Sequence, residues 1–232
     1  MAKLERDVED RFFDIITNQK DNPSSNAYGV YQKLVYYRFE EIIKNTFPEF
    51  IKHISENKLE ESIYAFLKNP PSTPFVWQIA NDYRKFVKKN NFFKKKKFIY
   101  ELLYFDWIEV KIQMKEYKKI RKKDFSWQDS YLLSASCRIK QFEYDIINKD
   151  YKNKRENFLI IYNNFKIDEV VFREINQFLF VLLQRINEKE SIEKTLNLLC
   201  IENEVDLNEA KQIFEEALKE LLLDKALISN NL

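Results

Sequence analysis

The sequence predicts a mostly α protein, with an N-terminal helical bundle over residues 1–124 and a C-terminal α+β domain over residues 125–232. Three observations lead there. Apolar residues recur at helical spacing through most of the first half. Between residues 141 and 172 the pattern turns toward alternation and short apolar runs, before three further helical stripes close the chain. The chain of 232 residues holds one Gly, Gly29, too few for the many tight turns of a barrel or sandwich.

In chain order, Val8, Phe12, Phe13, Ile15 and Ile16 predict a helix over residues 4–20, and Asp21 to Gly29 reads as a loop. Tyr31, Leu34, Val35, Phe39, Ile42 and Ile43 form one stripe and predict a helix over 30–45. Pro48 breaks it, since proline cannot donate to the helix ladder. Shorter helices follow over 48–55 and 58–68, with His53 expected on a helix surface. The stretch 69–74, with Pro70, Pro71 and Pro74, is a stiff connector. Helices over 76–88 and 97–120 complete the first domain, and the polar run Arg121 to Ser130 marks the boundary.

Gln141 to Ile146 alternates polar and apolar residues, as a half-buried strand does. Asn157 to Tyr162 and Phe165 to Phe172 read as a hairpin around an Asn163-Asn164 turn. Helices are expected over 174–185, over 192–201 capped by Ser191, and after Asp206 with Glu209 three residues on. Strands followed by three helices in about 100 residues suggest a small winged-helix-like module.

Composition narrows the chemistry. One Gly rules out a dinucleotide fingerprint, a Walker loop and a nucleophile elbow. Asn is expected at the left-handed turn positions in its place. One His and two Cys, Cys137 and Cys200, give no metal-ligand spacing, and the cysteines read as buried thiols of a reducing compartment. The first residues lack the apolar stretch of a signal peptide and no run reaches membrane-spanning length, so a cytoplasmic protein is expected. The net charge of +2 divides unevenly. Residues 1–124 carry 25 basic and 18 acidic side chains (+7), and residues 125–232 carry 14 and 19 (−5). The basic excess centres on Lys88 to Lys97, a run that can attract phosphates or an acidic partner, or stand as a solvated loop.

The N-terminal half resembles the HvfC/BufC-type family, long labelled a DNA-binding domain family. The resemblance rests on Tyr31 to Phe50 with Arg38 and Phe47-Pro48, on Phe66 followed by Pro70 to Phe75, on Tyr83 to Val87, and on Glu101 to Val110. Asp106 stands where the family usually has Glu before Trp107, and Phe39 follows Arg38 where it usually has Asn. The C-terminal half resembles the family's second domain, a PqqD-like peptide-recognition fold, in the hairpin 157–172, Leu182-Leu183 and the stretch Ser191 to Ile228. The resemblance implies a non-catalytic partner subunit without a cofactor of its own. It would bind a Cys-containing, ribosomally made precursor peptide and present it to a multinuclear non-haem iron oxidase.

Such a peptide would add as a strand to an exposed edge. The edge expected is Phe165, Lys166, Ile167, Asp168, Glu169, Val170 and Val171, and the groove wall is Lys211, Phe214, Glu215 and Leu218. Phe214 and Leu218 also fit the core, as helical apolar stripes generally do. Arg38, Glu101, Asp106 and Trp107 are the candidate partner interface, with Glu101 and Trp107 equally suited to a buried hydrogen bond and a core anchor. The alternative function is a DNA-binding transcriptional regulator. Against it, the final helix carries Glu209, Glu215, Glu216 and Glu220 against Lys211 and Lys219, which phosphate backbones would repel. DNA contact would fall to Lys88 to Lys97 and Lys118 to Lys123, with Phe92 and Phe93 as a stacking surface.

Overall fold

Apolar stripes and proline punctuation become eight helices and two small antiparallel sheets among the residues described by the computed structural model, 26–68, 73, 75–117 and 123–229. The expected helix over 4–20, most of the proline connector and residues 118–122 lie outside the described residues. The chain divides into two compact units, Met1–Val110 and Lys111–Leu232.

In the first unit, α1 (Asn26–Thr46) starts four residues before the expected boundary. No proline interrupts residues 26–29, and the one Gly there costs about 1 kcal/mol, which a helix of 21 residues absorbs. Pro48 takes the first-turn position of α2 (Pro48–Ile51), where its missing N–H costs nothing. This helix is shorter than expected, and His53 sits half-buried in the turn after it, edge-on to Phe98 at 5.3 Å. Then come α3 (Glu56–Leu67), α4 (Val76–Lys89) and α5 (Phe98–Gln113). The last ends at Gln113, short of the expected residue 120.

An aromatic cluster fills this unit: Phe47, Phe50, Phe66 and Tyr83 meet with ring centroids 5.5 to 6.4 Å apart. The Tyr83 hydroxyl shares a 2.7 Å hydrogen bond with Ser62 Oγ, so its polar tip is satisfied inside the core. From α5, Asp106 Oδ2 accepts from the backbone N–H groups of Glu49 and Phe50, both at 3.1 Å, and so caps α2 from another helix. Trp107, 4% exposed, donates its indole N–H to the Trp77 carbonyl at 2.9 Å, with the Arg84 guanidinium 4.6 Å from its ring.

The second unit begins with β1 (Tyr131–Leu133), which pairs antiparallel with β5 (Leu227–Ser229) at the chain's far end. Between them lie β2 (Arg138–Asp145), β3 (Asp150–Asn164) and β4 (Glu169–Ile175), an antiparallel sheet in the order β2-β3-β4. The helices α6 (Gln177–Arg185), α7 (Ile192–Asn203) and α8 (Leu207–Leu223) follow. Asn176, Ser191 and Asp206 cap them, each side chain accepting from first-turn N–H groups. Ile160 and Tyr162 of β3 pack against Leu182, Leu196, Phe214 and Leu218 in one core. That core also holds Cys137 and Cys200, both unbridged, and burial pushes the Cys137 thiol up to about 12.

The turn positions depart from expectation. Six non-glycine residues have positive φ: Asn91, Phe93, Lys149, Asp168, Glu204 and Lys225. One of the six is Asn, and Gly29 sits in α1 with no positive φ. Asn91 and Asp168 are of the residue types that visit this region most readily after Gly, and the other four are not.

Two stability tests follow. Burial pushes the Asp106 carboxyl up to about 7, against the pull of the Phe50 and Glu49 N–H donors. Its folded pKa lies above the ordinary 3.8, so its stabilising contribution is complete below the ordinary value and is lost as pH rises through the folded one. Urea midpoints measured across that window should fall with rising pH by an increment absent in Asp106→Asn, which keeps an acceptor but does not titrate. In the second unit, Phe214 is 6% exposed and stacks on Phe178 at 5.3 Å, whereas its neighbour Ile213 is 59% exposed. Denaturant melts should show Phe214→Ala losing about 3–5 kcal/mol and Ile213→Ala changing by no more than about 0.5 kcal/mol.

Candidate functional site

The strand β4 has one partner strand, β3, and among the described residues no strand lies along its other edge. This edge runs from Glu169 to Ile175, not from Phe165 to Val171 as the sequence suggested. The Asn163-Asn164 pair is not the turn. Asn163 stays in register with Val170 and Asn164 with Glu169, and the chain reverses over Phe165, Lys166, Ile167 and Asp168. Asp168 takes φ 55 to close that turn, with its N–H donating to the Asn164 carbonyl at 2.9 Å. Of the seven edge candidates, Glu169, Val170 and Val171 therefore lie in the strand and the other four form the tip.

The helix α8 stands beside this hairpin and is tied to it by side chains. Arg173 of β4 pairs with Glu220 at 2.6 Å. At the hairpin's tip Lys166 pairs with Asp224 at 2.9 Å, and the Tyr162 hydroxyl donates to the same carboxylate. The face of α8 turned to the hairpin follows from Glu220. One and two turns back, Glu216 and Ile213 share its side. Ile213 is an exposed apolar side chain there, with Glu216 and Glu220 following it along the same side of the helix.

The predicted groove wall falls elsewhere on the helix. Lys211 and Glu215 lie on the side of α8 opposite Glu220. Lys211 pairs with Glu193 of α7 and stands over the Trp127 ring at 5.6 Å. Glu215 pairs with Lys219 at 2.6 Å, and that partner, with a contribution from Trp127, holds its carboxyl below the usual range. Phe214 and Leu218 point inward and belong to the core, Leu218 being 0% exposed. An apolar stripe shows which side of a helix is buried, but not which neighbour each polar side meets. The residues missed, Ile213, Glu216, Glu220 and Arg173, had one signal: Ile213 is an apolar residue off the core stripe.

The partner-interface candidates separate in the same way. Arg38 is exposed on α1 and pairs with Glu41 at 2.9 Å. Glu101 is half-buried on α5. Asp106 and Trp107 are inside the first unit, where they cap α2 and anchor α4, so neither offers a surface to another protein. The Trp107 side chain is the core anchor of the two roles that suited it.

No curated protein matches this chain in sequence. Residues 134–223 match the family described as the HvfC C-terminal domain, a span that runs from just before β2 to the last residue of α8 and so takes in the hairpin, its free edge and the helix beside it. The second unit therefore contains a region similar to the HvfC C-terminal domain.

Proposed function

We propose that this chain is a non-catalytic partner subunit, which binds a ribosomally made, Cys-containing precursor peptide and presents it to a multinuclear non-haem iron oxidase. The observation that carries the reading is the unpaired β4 edge beside the Ile213, Glu216 and Glu220 face of α8. An extended peptide adds to such an edge through main-chain hydrogen bonds, and pockets for alternate side chains give selectivity. The three-stranded sheet β2-β3-β4 followed by α6, α7 and α8 is compatible with a winged-helix-like, PqqD-like recognition module, and the match to the HvfC C-terminal domain supports that reading. The α8 face favours a guest with an apolar side chain against Ile213 and a positive charge near Glu216 and Glu220.

The composition fits the division of labour that the resemblance implies. An open iron site draws on several His and carboxylate ligands, and this chain has one His. The oxidase would hold the iron and this subunit the peptide. In this reading the second unit captures the precursor and the first docks the oxidase through an exposed surface that includes Arg38. Two buried, unbridged thiols fit a reducing cytoplasm. No described helix is long and apolar enough to cross a membrane.

The test is affinity purification of the tagged chain from its native cell, with metal analysis and mass spectrometry of what is retained. An iron-containing oxidase together with a small Cys-bearing peptide is the expected result. DNA held in a salt-sensitive way, with no iron protein, would instead favour a transcriptional regulator. The edge itself is tested with Val170→Pro and Val171→Pro. Successive N–H groups of a strand point alternately toward β3 and away from it. One proline therefore breaks the ladder, while the other keeps the wild-type circular dichroism spectrum and loses the recovered peptide. Wild-type affinity in the folded variant would sink the edge-addition reading.

A further inference from the structure

The first unit contains a cavity of about 540 Å³ whose lining has no part in the peptide reading. It lies between the turn after α2, the start of α3 and the loop from α4 to α5. Its lining includes Lys58, Lys94, Lys95 and Lys96, with Asn90 and Asn91, over a floor of Ile54, Phe92 and Phe93, and it includes no Asp or Glu. The volume is in the range of small-molecule sites.

Several lysines elsewhere on the surface are paired with carboxylates. Lys44, Lys52, Lys154, Lys166, Lys194, Lys211 and Lys219 all sit in ion pairs. Lys58, Lys94 and Lys95 make no ion pair with a described residue. Lys96 donates to the His53 carbonyl at 2.7 Å, which spends one of its three donors and keeps its charge at the rim. Four lysine side chains around one concave surface make it attractive to an anion.

The loop is also built to hold its shape. Asn90 Nδ2 donates to the Phe86 carbonyl at 2.9 Å, Tyr100 donates its hydroxyl to the Phe92 carbonyl at 2.7 Å, and the Phe93 ring meets Phe50 at 5.6 Å. Asn91 at φ 53 and Phe93 at φ 62 take the left-handed conformation that an L side chain adopts at a cost. Phe92 and Phe93 are half-buried in these contacts, with Phe92 against Phe86 at 5.6 Å. They form the floor of a cavity, not the open stacking surface that a single strand of nucleic acid would use.

We propose that this cavity binds a small organic phosphate, its phosphates held by Lys58, Lys94 and Lys95 and its organic part resting on Ile54 and Phe92. Lysine suits phosphate as a strong point charge. The apolar floor selects for more than an inorganic ion. The site is independent of the β4 edge, and its failure would leave the peptide reading untouched.

The experiment is calorimetric titration of the full chain with adenosine triphosphate, inorganic tripolyphosphate and a short oligothymidylate, at about 0.15 M salt, where exposed charges are screened beyond roughly 8 Å. The expected result is saturable one-to-one binding of the nucleotide below millimolar concentration, tighter than tripolyphosphate. Lys58→Gln and Lys95→Gln should each weaken it about tenfold, as the loss of one charge-assisted hydrogen bond does. Lys152→Gln, in the other unit, should leave it unchanged. Thermal melts show whether each variant is folded. Absence of saturation by the nucleotide, equal weakening by Lys152→Gln, or oligothymidylate binding that the nucleotide does not displace would overturn the proposal.

Discussion

A chain with one glycine, placed inside a helix, must turn with residues that carry a Cβ. Each left-handed residue of that kind costs on the order of 1 kcal/mol, and six of them are present among the described residues. Such conformations persist only where neighbouring contacts hold them. Asp168 is held by its bond to Asn164, Glu204 by its N–H on the Cys200 carbonyl, and the turn at Lys225 by Ala226 bonding back to Leu221. Phe93 is held by its ring on Phe50. The turns are therefore set by packing, which ties loop shape to the core. Both proposed surfaces stand next to such turns: Asp168 precedes β4, and Asn91 with Phe93 shapes the basic cavity.

Charge is distributed along the same lines. The acidic excess of the second half is displayed on α8, where Glu216 and Glu220 face the hairpin, and the basic excess of the first half crowns the loop after α4. A net charge near zero conceals two surfaces of opposite sign, each able to steer a different ligand. Arg173 has a double part in this. Its pair with Glu220 links α8 to the strand, yet both side chains are substantially exposed, so the pair contributes little stability and can be rearranged at small cost.

Much of the helical architecture was legible because amphipathic stripes survive tertiary context. The caps at Ser191 and Asp206 form as the sequence implied. Strands were harder. Three-residue strands such as β1 and β5 are too short to show a period, and their pairing joins residues nearly 100 positions apart. The Asn163-Asn164 pair carried a turn signature, but continued cross-strand pairing with Val170 and Glu169 outweighed it and moved the reversal to Phe165–Asp168. The site was legible as an idea, a strand edge beside the last helix, but not in its side chains. Burial of Phe214 and Leu218 could be read from their stripe, whereas the split of the polar face between Trp127 and the hairpin depends on where neighbouring elements sit. Asp106 and Trp107 show the same limit in the first unit, since an acid followed by Trp fits a binding surface and a capped core equally well until the α2 backbone is seen beneath it.

An edge strand left open in solution is a hazard, because any other extended chain can pair with it. Proteins that keep such an edge exposed protect it with charge, and β4 carries Glu169, Arg173 and Glu174 along its seven residues. Arg155 of the neighbouring strand reaches across to Glu174 at 2.9 Å, so the protection is partly ordered by the sheet itself. This form of protection blocks indiscriminate pairing without filling the edge. A covering helix or loop would have removed the hazard permanently and the binding capacity with it. Charged guarding leaves the backbone groups available to a guest whose own charges complement Arg173, Glu216 and Glu220. On the proposed reading, a peptide at this edge would draw affinity from the main chain and selectivity from a few side chains at the rim.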